Sequence, residues 1–434
     1  MWWISVSLPG LRFDSNGQYY GTQMLTRIQA TNYRCLKHVD QSLKNFQVLV
    51  GANGSGKSTF LDVLSFLSEL VRQPRLSLTS ALAARSSDFD DLLFGRNGDH
   101  FELAIETGIP ADVAAKAYRH LRVAQWVRYE VRIGYTNGDR REVGILFERL
   151  SLVVDENLFM EVGLRPDFLS TMSLVLKDNG FDQYQSQGPD NPSAMGSSHS
   201  YSLGAATSAL ANLPEDAVQF PIATWFRRFL AESIRRLNLE PRLLSMPAPR
   251  SNSFALNGDG SNLPLVVDWL SKTSPQQFGY WIAHLKVALP DLATVRTIER
   301  PEDRQRYLVI EYSNGCAVPS WMVSDGTLRL LALTLPAYAM DNGDVFLIEE
   351  PENCIHPLAI EIVMQSLNSM YESQVIVTTH SPAILSLTAP ENILCFSKSS
   401  DSGTAIVRGD LHPRMSAWKG TVDPGLLLAS GILD

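Results

Sequence analysis

The order of apolar and polar residues predicts strands and helices in two stretches of the chain, with a less regular middle between them. Residues 24–50 alternate as strand, turn and strand, and residues 57 to about 72 repeat their apolar positions with the period of a helix. Alternating or apolar stretches predict further strands at 101–107, 126–136 and 143–154. The sequence NGDRR between the last two is typical of a hairpin turn. These elements predict an antiparallel sheet next to the first helix.

The middle of the chain has a different pattern. Residues 183–208 are rich in Ser, Gly, Pro and Asn, which predicts a mobile loop. Helical periodicity returns over about 217–239 and 263–289. Neither stretch has the sustained heptads of a coiled coil, so no long coiled-coil arm is expected.

The last third alternates strands with helices that begin near Thr327 and at Pro357, which predicts a parallel sheet with helices on its faces. The predicted strands are 294–300, 306–312, 344–350, 374–380 and 392–397. We therefore expect one α/β domain that is divided by a mostly helical insertion. The expected segments are a poorly structured leader (1–23), the first part of the domain (24–108), the insertion (109–290), the second part (291–408) and a C-terminal docking tail (409–434).

A glycine-rich stretch, GANGSGKST, joins the strand that ends near residue 50 to the first helix and matches G-x-x-x-x-G-K-[ST]. Glycines let several backbone N–H groups face one phosphate chain, and the helix N-terminus adds partial positive charge. Lys57 is predicted to reach the β- and γ-phosphates, and the Ser58 hydroxyl to bind Mg²⁺. The residues predicted to bind the nucleotide here are Gly51, Asn53, Gly54, Ser55, Gly56, Lys57, Ser58 and Thr59.

Three further motifs place polar groups at the ends of strands or helices. DVFLIEEPE ends a buried strand with Glu349, a candidate Mg²⁺ ligand, and Glu350, a candidate general base; two solvated acids are the alternative. VIVTTHSP ends another strand near His380, which can donate to a γ-phosphate or be purely structural. SDGTLR begins a helix with Ser324, either an anion site or a plain helix cap.

Composition narrows the classes of protein. The formal net charge of −9 excludes a uniformly basic surface. A local patch formed by Arg227, Arg228, Arg235 and Arg236 leaves nucleic-acid binding open, and a solvated helix face is its alternative. Four scattered cysteines and the lack of an apolar run of about 18 residues predict a cytoplasmic protein with no membrane span.

In their order, these motifs resemble those of ABC-type ATPase heads of the SMC/RecF-like branch, and of the related abortive-infection and OLD-like ATPases of bacterial defence. SDGT resembles the signature motif, IEEPENCIHP resembles Walker B joined to the D-loop, and TTHSP resembles the switch-histidine motif. NYRCLK resembles the strand turn that members place near the nucleotide, and NGDGSNLP a segment that recurs before their second half. The implied fold is an ABC-type P-loop head with a mixed sheet and an antiparallel β subdomain.

The resemblance implies ATP and Mg²⁺ as cofactors and ATP hydrolysis as the activity. It implies a homodimer or higher oligomer that closes around ATP, with Ser324, Asp325 and Gly326 contacting the γ-phosphate held by the partner, and Arg34 near the nucleotide. We expect a sensor or switch in anti-phage defence that acts through a separate nuclease or toxin, because the chain after His380 is too short for a nuclease domain. A RecF-like DNA-repair ATPase that binds DNA directly is the alternative.

Overall fold

The computed structural model describes residues 11–13, 19–21, 24–72, 77–117, 125–136, 142–153, 173–178, 181–185, 198–251, 255–339, 343–399 and 403–413. The chain divides into two compact units. The first unit contains Met1–Asn45, Asn53–Ile234 and Phe396–Ile406, and the second contains Phe46–Ala52, Arg235–Cys395 and Val407–Asp434.

The strands are β1 (Leu11–Phe13), β2 (Tyr19–Gly21), β3 (Leu25–Tyr33), β4 (Leu36–Ser42), β5 (Phe46–Gly51), β6 (His100–Gly108), β7 (Trp126–Tyr135), β8 (Val143–Val153), β9 (Ser173–Asp178), β10 (Phe181–Gln185), β11 (Ser198–Tyr201), β12 (Ile234–Leu237), β13 (Leu292–Glu299), β14 (Arg306–Tyr312), β15 (Ala317–Pro319), β16 (Val345–Glu349), β17 (Gln374–Thr378), β18 (Ile393–Ser399) and β19 (Gly403–Arg408). The α-helices are α1 (Lys57–Arg72), α2 (Ser77–Ala83), α3 (Ala111–Lys116), α4 (Pro221–Arg228), α5 (Pro241–Ser245), α6 (Leu263–Thr273), α7 (Pro275–Ala288), α8 (Asp325–Thr334), α9 (Pro336–Ala339), α10 (Pro357–Asn368) and α11 (Pro382–Ser386).

The first unit is built on an antiparallel sheet of order β11-β10-β9-β8-β7-β6-β3-β4. Its strands alternate as the sequence predicts: along β7, Val127, Tyr129 and Val131 are buried and the residues between them are not. Helix α1 contributes Phe66, whose ring lies 5.7 Å from that of Phe101 on β6. Apolar alternation on the strands and a helical apolar stripe thus share one core.

The second unit contains a six-stranded sheet of order β12-β16-β17-β5-β18-β19, and the chain passes between the two units within β12, β18 and β19. Strand β17 pairs in parallel with both β16 and β5, and all five of its residues are buried. Helices α6 to α8, α10 and α11 contribute apolar side chains to the same core. A separate antiparallel sheet, β13-β14-β15, belongs to the same unit.

The segment 217–239 differs from its predicted single helix. Helix α4 gives way to a π-helix at Phe229–Ser233 and then to β12, which neighbours β16 in the sheet. The ends of β12, Ile234 and Leu237, are buried, whereas the two arginines between them are partly exposed. Four residues with apolar ends fit a strand as well as a helix, and here pairing with β16 decides the outcome.

Three other predicted segments fall partly outside the described residues. Within the predicted leader, the structure describes a hairpin of β1 and β2. At the two ends of the predicted mobile loop, β10 and β11 pair with each other, and residues 186–197 lie outside the described residues. Residues 409–413 begin the predicted tail with a short 3₁₀ turn, and residues 414–434 lie outside the description. In the described ranges, no helix has the length and apolar character needed to cross a membrane.

Candidate phosphate loop and strand-end acids

The phosphate loop begins where β5 ends, at Gly51, and closes where α1 begins, at Lys57. Gly54 and Gly56 have φ angles of 75° and 107°, in a region that L side chains rarely adopt. A Cβ atom at Gly56 would lie 2.3 Å from Thr404 Oγ1. Glycine at position 56 is therefore required both by the backbone conformation and by the close approach of Thr404.

Two segments of the first unit support this loop from positions that are distant in sequence. Thr404 on β19 places its hydroxyl 2.9 Å from the carbonyl oxygen of Ser55, and its N–H donates to the carbonyl of Cys35. Cys35, in the turn between β3 and β4, donates its thiol to Thr59 Oγ1 at 3.3 Å. These contacts fix the second half of the loop against the turn and β19.

The same turn carries Arg34, which has a φ of 54° and a half-exposed side chain. Its Nη1 lies 3.5 Å from the Asp62 carboxylate on α1. Asp62 also accepts hydrogen bonds from Arg85 and, at 2.6 Å, from the Tyr33 hydroxyl. Burial, reinforced by Asp62, raises the pKa of Tyr33 well above its ordinary value. The network anchors the turn on which Arg34 is displayed.

The donors of the loop suit a phosphate chain. Lys57 is buried, whereas Asn53, Gly54 and Ser58 are exposed. Ser55 Oγ is shielded from solvent and has no hydrogen-bond partner among the described residues. A left-handed glycine loop with an orphaned hydroxyl, at the start of a helix with a lysine, fits an anionic ligand of the phosphate type.

In the second unit, the carboxyl ends of β16, β17 and β5 meet at one edge of a parallel sheet, because the three strands are paired in parallel. Glu349 is the last residue of β16, and Gly51, where the phosphate loop begins, is the last residue of β5. Arg236 on β12 donates to Glu349 Oε1 through Nε at 2.9 Å and also through Nη2. The predicted magnesium ligand is therefore ion-paired with an arginine.

Glu350 follows β16 in a left-handed conformation, with a φ of 47°. Its N–H donates to the carbonyl of Thr378, its Oε2 accepts from Asn353 Nδ2 at 2.7 Å, and its Oε1 lies 3.9 Å from His380 Nε2. A non-glycine residue in this region costs about 1–3 kcal/mol, and such conformations concentrate at functional sites. The structure thus brings the predicted base and the predicted switch histidine together.

The predicted signature residues lie at the start of α8. Ser324 is the N-cap: its Oγ accepts from Thr327 N at 3.3 Å, so the plain-cap interpretation accounts for this contact. Ser324 and Asp325 are exposed. A Cβ at Gly326 would lie 2.4 Å from the carbonyl oxygen of Cys354, which places the start of α8 against the segment after Glu350.

Several residues at these sites were not predicted from the sequence. Asn353 and Glu352 belong to the EEPEN motif, so their closeness to Glu350 could have been inferred. Arg236 was assigned to a helix face, and its position on a strand beside Glu349 has no local signal. Thr404 has none either, because its contacts with the loop join residues that are far apart in sequence. Among the described residues, no cluster of three or more His, Cys, Asp or Glu side chains could hold a metal ion on its own.

Comparison with known proteins gives a family and a fold. Residues 46–386 match the model of the family described as "AAA domain, putative AbiEii toxin, Type IV TA system". No curated protein matches the chain. The chain is similar to the crystal structure of the Smc head bound to the C-winged helix domain of ScpA, with 17% identity, a TM-score of 0.50, and 88% of this chain and 96% of that chain covered. For the Smc head domain with an extended coiled coil from Pyrococcus furiosus, the identity is 15%, the TM-score 0.47 and the coverage 92% and 99%.

The family match spans most of the chain and includes the phosphate loop, the strand-end acids and the start of α8. The likeness to the first Smc head confirms the predicted fold, an ABC-type head with mixed and antiparallel sheets. The chain belongs to this AAA family, and its fold is that of an ABC/SMC-like P-loop ATPase head related to abortive-infection ATPases.

Proposed function

We propose that this protein hydrolyses ATP to ADP and phosphate, with Glu350 as the general base. The observation that carries the proposal is the state of Glu350: a strained backbone, one carboxylate oxygen fixed by Asn353 and the other facing His380. Strain and orientation of this kind exceed what a solvated surface acid requires. The side chain is 42% exposed, so a water molecule can reach it.

Each predicted residue then has a distinct role. Lys57 and the loop from Gly51 to Thr59 bind the phosphates, and Arg34 contacts the nucleotide from the turn after β3. Glu350 orients and polarises the attacking water, and His380 donates a hydrogen bond to the γ-phosphate. This chemistry is positioning and charge neutralisation, without a covalent intermediate.

Magnesium fits the donors that the motifs supply. The Ser58 hydroxyl and the Glu349 carboxylate offer hard oxygen ligands, which Mg²⁺ prefers. When bound, Mg²⁺ neutralises charge on the β- and γ-phosphate oxygens. Because Glu349 is paired with Arg236, its contact with the metal requires that the carboxylate be shared or the pair opened.

We further propose that two chains close around ATP, each presenting Ser324, Asp325 and Gly326 to the nucleotide of the other. The exposure of Ser324 and Asp325 at the N-terminus of a ten-residue helix supports this role, because such a terminus attracts a phosphate. The family description, which refers to a toxin of a type IV toxin–antitoxin system, supports a switch in bacterial defence that acts with a separate nuclease or toxin. We place this switch in the cytoplasm.

A mixing experiment tests hydrolysis and the shared site together. Lys57→Ala should lose ATP binding and Ser324→Arg should bind ATP without hydrolysing it, so each is inactive alone. In a mixed dimer, the intact Lys57 of one chain meets the intact Ser324 of the other once. An equimolar mixture should recover about a quarter of the wild-type rate, since half of the dimers are mixed and each has one intact site.

The matched control mixes Lys57→Ala with Glu350→Gln. Both defects lie in the half-site that binds the β- and γ-phosphates and activates water, so no combination restores an intact site. No recovery with Ser324→Arg, while native mass spectrometry shows mixed dimers, contradicts a shared site that fires singly. Full activity of Ser324→Arg alone removes its proposed role. Hydrolysis by the purified chain that rises on addition of DNA would favour the RecF-like alternative.

A further inference from the structure

Glu352, the last acid of the EEPE motif, has no role in the proposed chemistry, yet its carboxylate is tightly engaged. Its Oε1 accepts a hydrogen bond from Thr379 Oγ1 at 2.6 Å and from the backbone N–H of His380 at 2.9 Å. Its Oε2 is shielded from solvent and has no partner among the described residues. One carboxylate oxygen therefore joins the segment after β16 to the segment after β17.

The second segment depends on this contact. Thr379 is fully buried, its N–H donates to Leu49 O on β5, and its hydroxyl oxygen accepts from the N–H of Ser381 at 2.9 Å. The hydroxyl hydrogen of Thr379 and the N–H of His380 both point to Glu352. The turn that carries the His380 ring is thus held by the β5 backbone on one side and by Glu352 on the other.

The first segment is in turn held by α8. Arg329 Nη1 lies 3.5 Å from the carbonyl oxygen of Asn353, and Gly326 packs directly on the carbonyl of Cys354. Asn353 also donates to Glu350. Contacts therefore run from the start of α8, through residues 350–354, to His380, and Glu352 is the link to the histidine.

We propose that Glu352 is a positioning residue for hydrolysis, which fixes the main chain at His380 and so holds the imidazole ring beside Glu350. This inference rests on the proposed ATPase function. A shift of the histidine by a fraction of an ångström changes its alignment with Glu350 without altering the phosphate loop. Loss of Glu352 should therefore lower kcat and leave ATP affinity unchanged.

Two substitutions separate positioning from simple structural support. Glu352→Gln keeps an oxygen that can accept from both Thr379 and His380 and removes only the charge, so we expect kcat within about threefold of wild type. Glu352→Ala removes the acceptor, and we expect kcat to fall about 10- to 100-fold. Glu361→Ala is the matched control, because this exposed α10 glutamate accepts a hydrogen bond from Gln365 and none from the His380 turn.

Hydrogen exchange of the full chain gives a readout that does not depend on activity. The N–H of His380 should exchange slowly in the wild type, in Glu352→Gln and in Glu361→Ala, and at least about tenfold faster in Glu352→Ala, because its acceptor is gone. Thr379→Val, which removes the second donor to Glu352, should lower kcat less than Glu352→Ala. The double variant should be no worse than Glu352→Ala alone.

The outcomes separate this inference from the proposed function. If the wild type hydrolyses ATP while Glu352→Ala keeps both its kcat and the slow exchange of His380, the positioning role is wrong. If Glu352→Gln loses as much rate as Glu352→Ala, the charge rather than the geometry matters, and the inference also fails. If the wild type does not hydrolyse ATP but His380 exchange responds to Glu352→Ala alone, the structural link stands and the ATPase proposal falls.

Discussion

In the first unit, Glu148 lies on β8 with its carboxylate fully buried, whereas in the second unit the Glu350 side chain is 42% exposed after the end of β16. Glu148 accepts four hydrogen bonds, from Tyr129 Oη at 2.8 Å, Ser208 Oγ at 2.7 Å, Ala209 N at 2.7 Å and Leu210 N at 3.0 Å. Glu350 accepts one side-chain hydrogen bond, from Asn353, and has a left-handed backbone.

The two carboxylates differ in what their surroundings achieve. Burial raises the pKa of Glu148 above its ordinary value, and its four donors offset only part of that effect. Every lone-pair direction of Glu148 is occupied, so it can bind nothing further and serves to connect β8 with residues 208–210. Glu350 keeps acceptor capacity for a new donor. A saturated buried acid supports the fold, and an undersaturated, strained acid is available for chemistry.

The largest expected effect distinguishes Glu350 from a structural acid. Glu350→Gln should retain ATP binding and lower kcat by about 10²–10⁴-fold, because the amide cannot take a proton from water. Its urea unfolding midpoint should stay at the wild-type value, since the Asn353 contact survives. Steady-state hydrolysis and isothermal titration measure the two quantities. If Glu349→Gln is the more impaired and Glu350→Gln stays near wild type, the two acids have the opposite roles.

The converse change tests Glu148. Glu148→Ala should lower the free energy of unfolding by about 3 kcal/mol, because it leaves buried donors of Tyr129, Ser208 and two backbone N–H groups without an acceptor. The rate of hydrolysis per folded molecule should not change. Glu142→Ala, at an exposed position just before β8, should stay within about 0.5 kcal/mol of wild type. A loss of rate without loss of stability in Glu148→Ala would reverse the comparison.

The raised pKa of Glu148 makes its contribution depend on pH. The folded state holds the Glu148 proton to a higher pH than the unfolded state does, so this contribution is complete below the ordinary pKa of 4.5 and is lost as pH rises through the raised value. The stability of the wild type relative to Glu148→Gln should therefore fall as pH increases above 4.5. Urea unfolding of both proteins over a pH series measures this difference. A constant difference would contradict the raised pKa.

The smallest expected effect concerns the pair between Arg236 and Glu349. Arg236→Gln should lower the Mg²⁺ concentration needed for half-maximal nucleotide binding by up to about fivefold, because a half-exposed pair is worth about 1 kcal/mol or less. Arg235→Gln, on the same strand but paired with Asp344, is the control. A fluorescent nucleotide titrated with Mg²⁺ gives the readout. An increased Mg²⁺ requirement would show that Arg236 orients Glu349 for the metal instead of competing for it.

The sequence allows prediction of those parts of the site whose groups are adjacent in the chain. The loop from Gly51 to Thr59 brings its own glycines, lysine and hydroxyls, and the strand before it and the helix after it are strongly periodic. Likewise, Glu349 and Glu350 end an apolar strand, and their parallel neighbour β17 ends just before His380. Local patterns suffice because a parallel sheet aligns its carboxyl ends.

Other features depend on tertiary pairing. Arg236 lies between two apolar residues that follow a helix, and only the neighbouring β16 makes this stretch a strand. The φ of 47° at Glu350 is imposed by hydrogen bonds to Thr378 and from Asn353, not by the preference of glutamate. Such choices are made by partners from elsewhere in the chain, so periodicity cannot reveal them.

The hydroxyl of Thr404 reaches the carbonyl of Ser55 across 349 positions of sequence. During synthesis, the ribosome completes the glycine-rich motif early and β19 late. A nascent chain therefore carries the whole motif long before the residue that braces it has been translated. Products released before residue 404 keep the recognisable motif and lack its brace, so an intact nucleotide-binding loop reports that translation has passed nearly the whole length of the message.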